Sequence, residues 1–124
     1  MTTQPIHTSL DASATLSKAV IRTAERLHLS KTELAKVLGL SPPTITRLYS
    51  GHYVLEEKRK EWEFALLLIR VFRSLDSILA NEQAIQQWLN SNNHALGGKP
   101  IELIQQTEGL VRVIQYLDSS RGIV

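Results

Sequence analysis

Apolar residues recur at helical spacing along most of the chain, and no stretch of useful length alternates between apolar and polar residues as a strand would. The first periodic stretch has apolar side chains three or four positions apart, at Leu16, Val20, Ala24 and Leu27. The residues before it are polar and carry a single negative charge. The pattern therefore predicts an all-α protein that begins with a flexible tail over residues 1–14, followed by a first helix over 16–27.

Two short helices follow, and each has recognisable start and stop residues. The first begins with the capping box S-K-T-E, in which the Ser30 hydroxyl accepts from the backbone N–H of Glu33 and the Glu33 carboxylate reaches back to Ser30. Gly39 ends this helix, because glycine adopts the left-handed conformation without a Cβ penalty. Ser41 then caps the next helix, and Pro42 fits its first turn, where a missing N–H costs nothing.

The spacing within these two helices is that of a helix-turn-helix. Two helices that cross through a tight turn need a small residue, a turn glycine and two branched apolar residues, which are present as Ala35, Gly39, Ile45 and Leu48. At all four positions the sequence resembles the helix-turn-helix of phage-repressor-like (Xre) regulators, and the resemblance implies DNA binding. The alternative is a structural helical hairpin that makes only protein contacts.

If the unit binds DNA, its second helix enters the major groove and places its N-terminal, outward-facing residues against base edges. Arg47 is suited to bidentate pairing with a guanine, and the threonines are suited to thymine methyl groups or phosphates. The start of the preceding helix suits a phosphate, because backbone N–H groups and positive charge coincide there. The predicted DNA-binding residues are Lys31, Thr32, Ser41, Pro43, Thr44, Thr46, Arg47 and Ser50.

The formal net charge is only +2, but the basic residues are concentrated in the first half of the chain. Residues 1–60 hold nine Lys/Arg and five Asp/Glu, whereas residues 61–124 hold five and seven. A polyanion is therefore expected to bind the first half. The basic triplet at 58–60 stands beside three glutamates and is interpreted as a solvated, self-paired face, with phosphate contact as the alternative.

A long helix is predicted over residues 57–79, and its middle is apolar nearly all round. Such a helix has to be covered on more than one side, which a chain of 124 residues can hardly do alone. We therefore expect a homodimer whose interface is the stripe formed by Phe64, Leu68, Phe72 and Leu75. The alternative is a buried central helix of a monomer.

The last third of the chain predicts two short helices, over 82–89 and 100–106, then a helix that starts near Gly109 and a polar tail from residue 118. The order Trp-Leu, Asn, "LGGKPIELI", then a glycine followed by "VRVIQYL", resembles the toxin-binding domain of the Xre/MbcA/ParS antitoxin family. The resemblance covers about residues 60–124, with one departure: "NSNN" stands in a loop where the family often has a proline. It assigns toxin binding to Trp88, Gly97, Gly98, Lys99, Pro100, Leu103, Arg121, Gly122, Ile123 and Val124.

The resemblance implies an antitoxin that binds a RES-domain toxin, an enzyme that consumes NAD, and covers the entrance to its active site. The same chain would repress its own operon by binding double-stranded operator DNA as a homodimer, and a higher-order hetero-oligomer with the toxin is expected. The helix-turn-helix domain is placed at 15–56, and the dimerisation and toxin-binding domain at 57–124. The alternative function is a dimeric transcription regulator without a toxin partner.

The sequence offers no candidate enzyme site, so neither catalysis nor a cofactor is expected. The four histidines are dispersed, without metal-ligand spacing, and the lack of cysteine excludes disulfides and thiolate zinc sites. The longest apolar run, at 64–72, is too short to span a bilayer and contains Arg70. With no secretory segment recognisable at the start, a soluble cytoplasmic protein without a membrane partner is expected.

Overall fold

The computed structural model describes residues 4–121, with side chains from residue 11 to residue 120, and this part of the chain folds into seven α-helices. They are α1 (Gln4–Arg26), α2 (Lys31–Leu38), α3 (Pro42–Ser50), α4 (Lys60–Ile78), α5 (Glu82–Asn90), α6 (Pro100–Leu103) and α7 (Thr107–Arg121). Between residues 4 and 121, extended pairing is limited to an isolated bridge that joins Asn93 to Gly98. The prediction of an all-α fold, with a helix-turn-helix at the N-terminal end and a helical C-terminal part, is therefore confirmed.

The caps predicted for α2 and α3 are present. Ser30 Oγ accepts from the backbone N–H of Glu33 at 3.0 Å, and Glu33 Oε1 accepts from the backbone N–H of Ser30 at 2.8 Å. The side chain of Ser41 accepts from the backbone N–H of Thr44 at 3.3 Å. Gly39 closes α2 in the left-handed conformation, with φ of 73°. Local side-chain chemistry thus fixes where both helices of the pair begin and where the turn between them lies.

The first helix starts earlier than the apolar pattern predicts. Helix α1 begins at Gln4 rather than Leu16, so residues 4–14, expected as a flexible tail, are helical, while residues 1–3 lie outside the described part. Pro5 falls in the first turn, where its missing N–H is tolerated, and none of residues 6–15 is a helix breaker. The sequence expectation failed because this mostly polar segment contains no glycine or internal proline that would end a helix, and the prediction relied on apolar spacing alone.

The last helix also extends beyond the expected boundaries. Helix α7 starts at Thr107, before Gly109, and continues to Arg121 through the segment that was expected as a polar tail. Arg70 Nη2 of α4 lies 2.7 Å from Asp118 Oδ2, an exposed ion pair that ties this segment to the long helix. Helix α6, in contrast, ends at Leu103 rather than at residue 106.

The long helix begins at Lys60 rather than at residue 57, because residues 51–59 form a linker that packs along α1. Leu55 of this linker is fully buried, and its backbone N–H donates to Ser17 Oγ at 2.9 Å. The Ser17 hydroxyl in turn donates to the carbonyl of Ser13 at 2.7 Å. The linker is therefore held by a buried leucine and a buried hydroxyl, which keeps it out of the helix.

Helix α4 is the centre of the fold, and α1, α2, α5 and α7 all pack against it. Leu68 and Leu75 are 0% and 1% exposed and lie within the core of the single chain. They have no exposed surface that a second copy could contact, so the prediction that they form part of a dimer interface is corrected. The reason is that the helices of the same chain cover the apolar face, as the monomer alternative supposed for these positions. Phe64 and Phe72, the other two residues of the predicted stripe, are half-buried.

A cluster of ionic contacts joins the helix-turn-helix to α5. Arg26 Nε lies 3.0 Å from Glu82 Oε2, and His28 Nε2 lies 3.5 Å from the other oxygen of the same carboxylate. The guanidinium of Arg26 also stands over the ring of Phe72 on α4, 5.0 Å from its centroid. These contacts join the turn that follows α1 to the start of α5 and to the middle of α4.

Glu61 is a buried carboxylate, 7% exposed, near the start of α4. The hydroxyl of Tyr53 donates to Glu61 Oε2 at 2.5 Å, and Arg59 Nε donates to the same oxygen at 3.1 Å. Two donors offset the cost of burying the charge. Burial, and then this hydrogen bond, raises the pKa of Tyr53 to about 12. The Arg59–Glu61 ion pair agrees with the interpretation that the basic residues at 58–60 pair with neighbouring glutamates. The glutamate of this pair is buried, however, and not solvated as was expected.

Tyr53 is expected to make stability depend on pH in alkaline solution. Because its pKa is raised to about 12 in the fold, above the roughly 10 of an unfolded chain, its contribution is complete below about pH 10 and is lost between there and about pH 12. Denaturant unfolding across this range should show a steeper decline for the natural chain than for Tyr53→Phe. Equal slopes for the two proteins would contradict this role of the Tyr53–Glu61 bond.

Candidate functional site

The predicted DNA-binding residues lie on the start of α2 and on α3. Seven of the eight are exposed, and Thr44 is half-buried. Lys31, Thr32 and Thr46 line the same notch of about 310 Å³ between the two helices, which places the expected phosphate-binding residues, Lys31 and Thr32, next to α3. Pro43 and Ser50 are exposed on the first and last turns of α3.

Hydrogen bonds order the exposed face of α3. Ser41, Thr44 and Arg47 follow one another at intervals of three residues, and their side chains are bonded in sequence at 3.0 and 3.2 Å. Ser50 Oγ donates to the backbone carbonyl of Arg47 at 3.2 Å and lies 2.9 Å from His52 Nδ1. His52, which follows the glycine that ends α3, was not among the predicted DNA-binding residues.

The electrostatics of this surface are basic. Lys31, Lys36 and Arg47 are exposed, and none of them has an ion-pair partner among the described residues. The Glu33 carboxylate is engaged in the capping box. The ammonium group of Lys31 stands 5.0 Å from the ring centroid of Tyr49. Positive charge here is thus available to a phosphate backbone.

The predicted toxin-binding residues around the glycines form one turn and a short helix. Gly97 has φ of 80°, a conformation that favours glycine, and Lys99 and Pro100 begin α6. Pro100 is buried, whereas Lys99 and Leu103 are half-buried. A Cβ at Gly98 would meet Leu103 Cδ2 at 3.8 Å, so the turn lies directly against α6.

Two residues that the sequence analysis did not select hold this turn in shape. The side-chain oxygen of Asn93 accepts from the backbone N–H of Leu96 at 3.1 Å, and its backbone carbonyl accepts from Gly97 at 2.8 Å. Arg112 of α7 donates through Nη2 to the carbonyl of Leu96. An asparagine shortly before a glycine pair is a turn signal that was available in the sequence, but the Arg112 contact depends on tertiary packing.

Trp88 lies beside this turn without belonging to it. Its ring is half-buried and stacks on Tyr116 of α7, with centroids 6.4 Å apart and planes at 24°. It also lines a shallow groove of about 370 Å³ in which amide and hydroxyl side chains stand beside apolar ones. The other lining residues are Leu79, Ala84, Gln87, Ser91, Asn92 and Asn93.

The remaining predicted toxin-binding residues are separate from the turn. The backbone of Arg121 ends α7, which at about 1.5 Å per residue places it roughly 14 Å along the helix from Arg112. Gly122, Ile123 and Val124 lie outside the described residues. The structure therefore brings together the part from Gly97 to Leu103, with Trp88 nearby, but not Arg121.

From residue 4 to residue 121, no group of three or more His, Cys, Asp or Glu side chains could hold a metal ion. Within the same residues, no helix is long and apolar enough to cross a membrane.

Comparison with known families gives a match for each half of the chain. A model of the antitoxin Xre-like helix-turn-helix domain matches residues 7–70, and a model of the antitoxin Xre/MbcA/ParS C-terminal toxin-binding domain matches residues 68–122. The two matches meet within α4. A search of curated proteins returned no match. With a DNA-binding fold and a toxin-binding domain in this order, the chain belongs to the Xre/MbcA/ParS family of antitoxins.

Proposed function

We propose that this antitoxin blocks a RES-domain toxin that degrades NAD, and that it represses its own operon by binding the operator through α3. The observation that carries the proposal is the pairing, in one fold, of a basic helix-turn-helix face with a toxin-binding domain on other helices. The chain acts by binding, and it contributes no catalytic group of its own.

For DNA, α3 is the recognition helix and the start of α2 contacts a phosphate. Backbone N–H groups at the start of α2, together with Lys31 and Lys36, suit an anion at the notch between the helices. The outward face of α3 presents one guanidinium, that of Arg47, among hydroxyl groups. This arrangement suits a major groove in which one guanine is contacted per subunit.

A second copy of the chain is expected on the outward face of α4. Leu66 is 40% exposed, and Trp62 and Ile69, which are half-buried, lie one helical turn before and after it on the same face. This face replaces the stripe through Leu68 and Leu75 as the proposed homodimer interface. Dimers place two recognition helices on successive half-sites, which raises affinity for a symmetric operator.

Arg47→Ala is expected to weaken operator binding and flatten base preference at one position, since a bidentate arginine–guanine pair contributes about 1–3 kcal/mol of discrimination. The comparison variant is Arg70→Ala, which removes the same charge from α4, away from the recognition helix. Fluorescence anisotropy on operator and scrambled duplexes should show loss of discrimination only for the Arg47 variant. Unchanged discrimination would show that α3 does not contact bases through Arg47.

For the toxin, the proposed contact surface is the turn and helix from Gly97 to Leu103, flanked by Trp88. The turn is held by Asn93 and Arg112, so little conformational entropy is lost when a partner binds it. Leu103 gives an apolar anchor and Lys99 a positive charge beside it. Dominant contacts lie near the centre of an interface, and Leu103 occupies that place in the proposed surface, with Trp88, a residue type common among such contacts, at its flank.

Leu103→Asp is expected to weaken binding to the toxin by roughly 30-fold or more, the effect of removing a dominant apolar contact. Val111→Asp is the matched control, because Val111 is an exposed apolar residue of α7 outside the proposed surface. Lys99→Glu is a second test of the same surface, to be used if Leu103→Asp does not fold, because it reverses a charge there without removing an apolar contact. Co-purification of each variant with the product of the neighbouring gene measures the effect, and equal recovery of all three would place the toxin elsewhere.

A further inference from the structure

Three side chains of α3 and its cap are linked in a chain of hydrogen bonds. The Ser41 hydroxyl donates to Thr44 Oγ1 at 3.0 Å, and Arg47 Nη2 donates to the same Thr44 oxygen at 3.2 Å. The Ser41 oxygen is itself fixed, since it accepts from the backbone N–H of Thr44 at 3.3 Å. Thr44 Oγ1 is therefore an acceptor bonded on both sides along the helix.

We propose that Thr44 is a positioning residue that sets the base specificity of this surface by orienting Arg47. The inference rests on the proposed DNA-binding function and assigns to Thr44 a role beyond direct contact. Threonine is branched at Cβ, which restricts χ1, and the hydrogen bond from Ser41 together with partial burial holds the Thr44 oxygen in place. One N–H of the guanidinium is held there, which leaves the rest of the planar fork free to pair with a guanine.

Arg47 depends on this restraint because other restraints are few. Its side chain is exposed, and among the described residues no carboxylate lies within ion-pair distance of it. Ser50 and His52 are nearby, but the hydrogen bond from Ser50 reaches the backbone carbonyl of Arg47, not its guanidinium. A free arginine loses many rotamers when it binds, and a restrained one loses fewer.

The proposal is tested by selecting binding sites from a randomised duplex library with five proteins. They are the natural chain, Thr44→Val, Thr44→Ser, Arg47→Ala and the double variant Thr44→Val/Arg47→Ala. Valine keeps the branched shape and the methyl group of Thr44 but not the acceptor, whereas serine keeps the acceptor. The backbone N–H of Thr44 still caps at Ser41 in every variant, and thermal unfolding confirms that each one is folded.

The natural chain is expected to prefer guanine at one position, and Thr44→Val to lose roughly 3- to 10-fold of that preference. Thr44→Ser should retain it. In the Arg47→Ala background, Thr44→Val should have no further effect on base preference, because the guanidinium that Thr44 would orient is already absent; this is the non-additivity that a double-mutant cycle measures.

Three results would overturn the inference. The first is an unchanged preference for guanine in Thr44→Val. The second is that Thr44→Val causes a loss of the same size when Arg47 has already been replaced by alanine. The third is that the base preferences of the natural chain and of Arg47→Ala are the same at every position. A natural chain that binds no duplex would instead overturn the proposed DNA-binding function itself.

Discussion

Replacing Gly109 with alanine is expected to destabilise the C-terminal part of the fold by about 3 kcal/mol, the upper end of the cost of overpacking, because neither side can move at this point. A Cβ at this position would come within 2.7 Å of the carbonyl carbon of Leu103, and closer still to the carbonyl oxygen. The obstacle is backbone rather than a flexible side chain. Helices α6 and α7 would have to separate, which also displaces the turn proposed for toxin binding.

Gly98→Ala is the matched control for this prediction. Its Cβ would meet Leu103 Cδ2 at 3.8 Å, an ordinary van der Waals distance, and its backbone does not need a positive φ. Chemical denaturation of the two variants should show a large loss of stability for Gly109→Ala and a small change for Gly98→Ala. Similar midpoints for Gly109→Ala and the natural chain would show that α6 and α7 are not packed as closely as described.

Leu68→Ala is expected to lower the free energy of unfolding by about 2–5 kcal/mol, the cost of truncating a fully buried leucine and leaving a cavity. Leu68 is 0% exposed near the middle of α4, the helix against which both α1 and α7 pack. The loss should appear in chemical denaturation at every protein concentration, because the side chain packs within one chain.

Leu66 provides the comparison, two residues earlier on the opposite face of α4. Since it is 40% exposed, Leu66→Ala should change the stability of the single chain by about 1 kcal/mol or less. Leu66→Glu should instead shift light scattering from dimer to monomer. If Leu68→Ala costs little and Leu66→Glu leaves a dimer intact, both the core and the interface have been assigned to the wrong faces of α4.

Local signals in the sequence were sufficient for the helix-turn-helix. The capping box at Ser30, the glycine that ends α2 and the serine before Pro42 each act through backbone groups within a few residues. Ala35, Ile45 and Leu48 lie in the core as the spacing predicts. These features could be predicted because their physics is local.

Features that depend on packing between helices could not be predicted from the sequence. The sequence shows that α4 is apolar nearly all round, but not which of its faces the chain covers itself, so Leu68 rather than Leu66 was expected in the dimer interface. Glu61 reads as one charge among several, and only the fold brings Tyr53 onto it. Likewise, Arg112 gives no sign in the sequence of its contact with the carbonyl of Leu96.

The two proposed surfaces are connected through α4. The helix-turn-helix packs on it through α1 and α2, and the C-terminal part packs on it through α5 and α7. Arg26 and His28 reach Glu82 across this junction. Because the proposed DNA-binding residues and the proposed toxin-binding residues lie on different helices, a substitution at Arg47 should leave toxin binding intact.

The central claim, that this chain neutralises a toxin, is tested most directly by co-expressing it with the product of the neighbouring gene while growth and cellular NAD are followed. The neighbour alone is expected to arrest growth and deplete NAD. The chain is expected to prevent both effects and to co-purify with the neighbour, and Arg47→Ala is expected to protect equally well. A neighbour that is harmless and does not co-purify, or one that still depletes NAD in the presence of the chain, would contradict the claim.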